Sequence, residues 1–511
     1  MFQPETDWIK RWALYTPGQR ILRDHERSAE WTYSDFNVRA NALAHWLTGE
    51  LGVAKGERIA VFAKNRAETV LLYAACVKTG IILVPLNFRL MPRELDILVR
   101  DAEPSVVFCE TEHGEFADRI DPLLEGKQRH TYAELEPFLF ETVKTSEPYQ
   151  APEPIEQDDV VMLLYTAGST GVPKGVMITH RMLFWNSVNT GLRLDLSSMD
   201  HTQSYAPFFH TGGWNVLLTP FIHHGASHTL IEKFDADLIL TLMEQEKTTL
   251  LFGVPTMLQM MYESPLFHKV DLSSVRYAIV GGAPMPEPLI NAWHEKGIFI
   301  RQGYGLTEVG PNCFSLHQDD AIRKRGSIGF PNFYIDAKIV DDDGRELGDN
   351  TPGELWLRSE VVTPGYWRKP KETAETITDG WFHTGDIVKR DDEGFHYVVD
   401  RKKNMYISGG ENVYPADVER FLYSHPAVRE VAIVGVPDEK WGEVGKAYIS
   451  LKEGQVLTSE EVLEFCKGQL AKYKTPKHVA FLDDLPKNDA GKINRLELKK
   501  LHDEGSENPR R

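Results

Sequence analysis

Behind Ser34, apolar residues recur at helical spacing (Phe36, Ala40, Leu43, Leu47, Leu51) and predict an amphipathic helix capped by Ser34. Apolar runs at 58–62 and 81–85 flank a helical pattern over about 68–78, the mark of a βαβ unit. The alternation continues to about residue 300 and predicts an α/β fold. The pattern then becomes rich in strands and turns. Asp343-Gly344 and Glu393-Gly394 lie between strand-like runs and predict hairpin turns. The acids Asp341, Asp342 and Asp343 lack the remaining ligand spacing of a calcium loop, so this segment also reads as a turn.

Residues 400–404 form a charged stretch without an apolar face and predict a linker. Beyond it the pattern gives a helix at 416–423, strands at 430–435 and 446–451, a helix at 460–470 and a strand at 478–482. A segment of about 110 residues with this pattern makes a small α+β domain. The expected boundaries are therefore 1–399, 400–404 and 405–511, with a polar tail from His502.

Composition narrows the class. At 511 residues the chain has room for two to four domains, and 42% hydrophobic with 26% charged residues is globular. A net charge of −18 speaks against general nucleic-acid binding, though not against a local basic pocket for a small anion. Cys76, Cys109, Cys313 and Cys466 are far apart, which predicts a reducing, cytoplasmic setting and no zinc site. The first residues lack signal-peptide character, the last carry no lipidation or peroxisomal address, and no apolar run reaches membrane-spanning length.

Candidate chemistry begins at Tyr165-Thr166-Ala167-Gly168-Ser169-Thr170-Gly171-Val172-Pro173-Lys174-Gly175, directly after the buried-strand pattern at 160–164. Glycines free backbone N–H groups for an anion, hydroxyls add donors and lysine adds charge. The loop departs from the common phosphate loop, in which lysine is followed by Ser or Thr and a helix. Here the residues at 176–179 read as a second strand, so any magnesium ligand must come from elsewhere. Such composition alone also suits an ordinary turn.

Four more segments follow in order: Gly281-Gly282-Ala283-Pro284, Gln302-Gly303-Tyr304-Gly305-Leu306-Thr307-Glu308, Gly380-Trp381-Phe382-His383-Thr384-Gly385-Asp386, and Lys487-Asn488-Asp489-Ala490-Gly491-Lys492. With the loop at 165–175 this set resembles the adenylate-forming superfamily of acyl-CoA synthetases, peptide-synthetase adenylation domains and luciferases, over nearly the whole chain. The resemblance implies a large N-terminal domain of two α/β subdomains plus a barrel-like piece, and a small mobile C-terminal lid. It implies a two-step reaction: a carboxylate attacks the α-phosphate of ATP to give an acyl-adenylate and pyrophosphate, then coenzyme A displaces AMP.

The same resemblance assigns roles. Thr166, Gly168, Ser169, Thr170, Gly171 and Lys174 would hold the β- and γ-phosphates, and Glu308 with Thr170 would hold magnesium. Gly282, Ala283, Pro284, Gln302, Gly303, Tyr304 and Gly305 would form the adenine slot, Tyr304 stacking on the base, with Thr307 on the α-phosphate. Asp386, Val398 and Arg401 would hold the ribose side. Lys492 would be the catalytic cation between phosphate and attacking carboxylate, and Asp400 the hinge. Ser408, Gly409, Gly410, Glu411 and Asn412 would line the pantetheine tunnel, with Tyr473 and Lys474 near the coenzyme A nucleotide.

The acid pocket would comprise His210, which gates the carboxylate, with Thr211, Gly212, Gly213, Trp214, Gly303 and Val309. Its apolar character points to a medium- or long-chain fatty acid. An aryl or cinnamate-type acid also fits, as does an enzyme loading a carrier protein. His223, His224 and His228 read as surface or turn residues. Two positions depart from the family pattern: Ala167 stands in place of serine and Asn404 in place of aspartate. Small molecules are the expected partners, with homodimerisation and peripheral membrane contact left open.

Overall fold

The computed structural model describes residues 4–503 apart from 125, 142, 144–146, 167–172, 283–284, 409–410, 468 and 488–491. Packing separates two compact units: Met1–Ala337 with Leu357–His383, and Lys338–Trp356 with Thr384–Arg511. Asp400 lies within the second, on strand His396–Arg401.

The larger unit is α/β. One sheet runs in the order Gln128–Thr131, Val106–Cys109, Arg58–Phe62, Ile82–Pro85, Val160–Thr166, Lys174–Thr179. Its pairs are parallel except the last, where Thr166 faces Lys174 across an antiparallel register. A second sheet places Leu250–Gly253, Tyr277–Val280 and Phe299–Tyr304 side by side and parallel, extended by Phe314–Ser315 and Phe330–Pro331. A third joins Ala29–Thr32, Arg20–Asp24, Ser227–Leu230 and His201–Ser204. Strands Gly353–Arg358 and Trp381–Arg390 of a further five-stranded sheet contribute residues to both units.

Helix Ala67–Thr79 is buried along its whole length, which its apolar sequence permits. Its two ionic residues are paired: Lys78 Nζ lies 2.6 Å from Asp7, and Glu68 lies 3.0 Å from Arg27 and 3.1 Å from Arg66. The helix predicted behind Ser34 spans Tyr33–His45, and its cap is Thr32. Thr32 and Asp35 exchange bonds with each other's backbone N–H, a capping box that needs an acid three residues on and leaves Ser34 inside the first turn.

In the smaller unit Val428–Asp438 and Gly442–Leu451 pair antiparallel over most of their length. Tyr406–Ser408 and His478–Phe481 flank Gly442–Leu451, and Pro415–Tyr423, Ser459–Cys466 and Arg495–Asp503 are helical. The turns at Gly344 and Gly394 close as predicted, with their N–H groups donating to Asp341 and Asp391 carbonyls. Among the described residues, no helix is long and apolar enough to cross a membrane.

The histidines expected at the surface are placed differently. His228 is fully buried on strand Ser227–Leu230, bonded to Ser204 Oγ at 2.9 Å, because that strand is interior to its sheet. His223 is half-buried against Trp8 and bonds Ser187 Oγ at 2.7 Å. Burial holds both near a pKa of about 3, and that of His180 at about 4. Unfolded, each would titrate near 6.5, so their contribution is complete above that pH and is lost as pH falls towards 4. Glu68 acts oppositely: burial lifts it from 4.5 to about 7, so the folded chain keeps a proton there that the unfolded chain releases. With the three histidines opposed by Glu68, stability should fall as the pH drops below 6. Urea midpoints read by tryptophan fluorescence at pH 7, 6 and 5 check this; a midpoint that rises on acidification contradicts it.

Candidate active site

In open α/β sheets, ligands gather at the carboxyl ends of parallel strands. Here Gly253, Gly281 and Gly303 meet at such an edge. Val280 is in register with both Gly253 and Gln302, and a Cβ on Gly281 would come 3.7 Å from the Gly303 carbonyl. Strand Phe299–Tyr304 carries Gln302, Gly303 and Tyr304 to this edge, where the Tyr304 ring packs edge-on to Phe314. Gly305 then leads into a 3₁₀ turn, Thr307–Val309, that presents Thr307 and Glu308 and buries Val309.

Thr166 and Lys174 face each other at the open end of the strand pair 160–166 and 174–179. The Lys174 ammonium lies over the Tyr366 ring, 4.9 Å from its centroid, and the Tyr366 hydroxyl donates to Glu308 Oε1 at 3.1 Å. Lys174 and Glu308 are thereby brought to one aromatic residue. Nothing in the composition of Gly365-Tyr366-Trp367 announced this. Gly168, Ser169, Thr170 and Gly171 of the predicted loop, with Ala167, lie outside the described residues, as do Ala283, Pro284, Gly409 and Gly410.

A small pocket opens beside the edge, lined by Gln203, Tyr205, Gly212, Gly213, Leu217 and Phe252 among others. The Phe252 ring sits 3.4 Å from where a Cβ on Gly212 would lie. A Cβ on Gly213 would meet the Pro207 carbonyl oxygen at 2.4 Å, so the glycine there is required by backbone approach. Trp214, predicted in the pocket, is fully buried: it stacks on Phe208 and donates Nε1–H to the Phe208 carbonyl at 2.5 Å. Helix Thr211–Asn215 turns it inward, a direction that sequence spacing over five residues cannot give. His210 precedes this helix, half-buried against Phe209. Phe252 and Gln203 were not anticipated: Phe252 lies in an apolar strand that marks it only as core, and Gln203 in a short polar strand, His201–Ser204, that carries no motif.

The smaller unit holds a separate cluster. Asp386 and Arg401 are cross-strand partners, with Arg401 Nε 2.6 Å from the buried Asp386 carboxylate; Val398 lies on the same strand as Arg401. Lys492 is open to solvent by area but crowded by neighbouring groups. Desolvation depresses its pKa first and the Arg401 charge second, while Asp386 opposes them. Asp400 accepts from Arg401 N at 2.6 Å, Asn404 Nδ2 at 3.0 Å and Ala416 N at 2.9 Å. An amide at 404 thus donates to Asp400, where a second carboxylate would repel it. Ser408 is buried and pairs with Glu411, while Lys474 is held 3.2 Å from Asp417. Tyr473 packs against the unit's core.

The donor chemistry of the larger unit suits magnesium. Glu308 offers hard carboxylate oxygens, its expected companion Thr170 lies outside the described residues, and no cluster of three or more His, Cys, Asp or Glu forms a metal cage among the described residues. Magnesium is ordinarily held by one or two carboxylates together with substrate phosphates, a demand that Glu308 can meet.

Residues 9–367 match the AMP-binding enzyme family and residues 417–492 the AMP-binding enzyme C-terminal domain. The chain is 39% identical to a feruloyl-CoA synthase of Amycolatopsis sp., over 96% of this chain and 98% of that protein. It is 36% identical to an indoleacetate–CoA ligase of Aromatoleum aromaticum (97% and 98% covered) and 34% to the long-chain-fatty-acid–CoA ligase FadD13 of Mycobacterium tuberculosis (97% of each). Among solved structures it is similar to ATP-bound MatB from Rhodopseudomonas palustris, with TM-score 0.90, 30% identity and 98% and 99% of the chains covered. It is also similar to the o-succinylbenzoate-CoA synthetase of Bacillus subtilis in complex with ATP and magnesium, with TM-score 0.87, 30% identity and coverage of 96% and 99%.

Proposed function

We propose that this chain, which belongs to the AMP-binding enzyme family and is an AMP-forming acid–CoA ligase using ATP, magnesium and coenzyme A, activates an aryl-substituted carboxylic acid. The feruloyl-CoA and indoleacetate relatives carry the substrate class, and the lining of the small cleft beside Gly212 agrees with it. Phe252 supplies an aromatic wall, and Gln203 is only 4% exposed in the same lining. Its Oε1 accepts from Thr248 at 2.9 Å while its Nε2 finds no hydrogen-bond partner among the described residues. A buried unpaired donor is costly, and an oxygen reaching this cleft, which has room for about one water, would satisfy it. The fatty-acid reading keeps the support of a 34% identical relative.

In this reading, carboxylate and triphosphate are two anions whose approach must be neutralised. Lys174 and Thr166 hold the phosphates, and magnesium at Glu308 neutralises charge when bound. Tyr304 stacks on adenine, Thr307 meets the α-phosphate, His210 gates the acid, and Asp386 with Arg401 holds the ribose. Lys492 stabilises charge as the acid attacks. The chain bends at Asp400 between a domain at 1–399 and a lid at 405–511, and Ser408 and Glu411 then line the thiol's path. The four cysteines are free and buried, in keeping with work in the reducing, ATP-supplied cytoplasm.

Pyrophosphate release with 4-hydroxycinnamate, cinnamate and dodecanoate tests the substrate class. The hydroxylated ring should give a kcat/KM at least about tenfold above cinnamate, the worth of one hydrogen bond to a buried polar group. Dodecanoate turned over faster than either ring acid would overturn the aryl reading.

A further inference from the structure

The segment at 363–367 belongs to none of the predicted motifs, yet it ties two of them together. Thr363 N donates to the Glu308 carbonyl at 2.8 Å, fixing the turn that presents this acid. Met177 N then donates to the Gly365 carbonyl at 3.2 Å, Val176 and Tyr366 form an antiparallel bridge, and Trp367 N donates to the Gly175 carbonyl at 2.7 Å. The segment is thus laid along the strand that begins at Lys174. Gly365 has φ +141°, and a Cβ there would lie 2.4 Å from Thr373 Cγ2, so glycine is needed at this bend. The next residue is held by a bond from Tyr366 N to Thr373 Oγ1 at 3.0 Å. These constraints aim the Tyr366 side chain, which is 8% exposed, between the Lys174 ammonium and the Glu308 carboxylate.

We propose that Tyr366 is a positioning residue that couples the phosphate-binding lysine to the magnesium-binding acid, its ring seating Lys174 and its hydroxyl orienting Glu308. The inference rests on the nucleotide-site reading above. Its two halves separate by chemistry. A cation over an aromatic face needs only the ring, whereas the carboxylate needs the hydroxyl. Tyr366→Phe removes one contact and Tyr366→Leu removes both. A merely structural tyrosine would weaken nucleotide binding equally with and without the metal. A positioning tyrosine would not.

The test is calorimetric titration of the full-length protein with ATP, without acid substrate, once with magnesium and once with EDTA. Tyr366→Phe should weaken ATP binding about tenfold with magnesium, the loss expected for a hydrogen bond to a charged group, and leave binding in EDTA unchanged. Tyr366→Leu should add a loss of about threefold in EDTA, where only the lysine contact is at stake. Melting midpoints verify folding. If the leucine variant does not fold, the phenylalanine variant, nearly identical in volume, decides alone. Wild-type affinity of Tyr366→Phe with magnesium, or equal losses in both conditions, overturns the proposal. A wild-type protein that binds no ATP in either condition overturns the nucleotide-site reading, and this inference with it.

Discussion

Lys492→Ala should lower acyl-adenylate formation roughly 10²–10³-fold while leaving thioester formation from supplied acyl-adenylate nearly intact. The first half-reaction drives a carboxylate onto a phosphate, and negative charge grows where a cation is of most use. In the second, the acyl group is already activated and the incoming group is a thiol. Lys492 shares the field of Arg401 and Asp386, and loss of water together with the Arg401 charge presses its ammonium below the usual lysine range. Its place in the field of the Arg401–Asp386 pair is what singles out this lysine. Its side chain is open by area, so truncation should cost little stability and the kinetic effect should be read cleanly. ATP–pyrophosphate exchange reports the first step and acyl-CoA formation from synthetic acyl-adenylate the second. Equal losses in both would remove Lys492 from the role assigned to it.

In the proposed site Glu308 serves the cation, so Glu308→Gln, which removes its charge, should lower magnesium-dependent pyrophosphate release roughly a hundredfold or more. The change is nearly isosteric. A glutamine carbonyl can still accept from the Tyr366 hydroxyl, and the backbone bond from Thr363 N to the Glu308 carbonyl is untouched. The turn should therefore persist and the loss report charge, not collapse. Initial rates over a magnesium series check it. Wild-type rates at every concentration would show that the metal is held elsewhere.

Much of this chain could be read from its residues in order. Apolar periodicity gave the βαβ unit, whose strand Arg58–Phe62 was foreseen residue for residue and whose helix differs by one residue at each end. The pairing of strands 160–166 and 174–179 followed from the apolar runs that form them. Glycine-rich segments at strand ends marked the edge where Gly281 and Gly303 meet, since close backbone approach favours glycine. Local signals of this kind survive in one dimension because each is set by a residue's own conformational preference.

What chain order could not supply is direction and distant company. Trp214 and His228 have the composition of site or surface residues, and only the packing of their elements turns them into the core. Phe252 looks like core and Gln203 like an ordinary polar strand residue, and both come to line the pocket because packing places them beside Gly212 and Gly213. Tyr366 is the clearest case. It stands 192 residues from Lys174 and 58 from Glu308, yet touches both. The sequence determined which segments are strands and helices, since those follow from local periodicity and backbone freedom. Only the tertiary structure decided which side chains share a charge or a wall of the pocket, because that depends on how separate elements pack and no spacing along the chain encodes it.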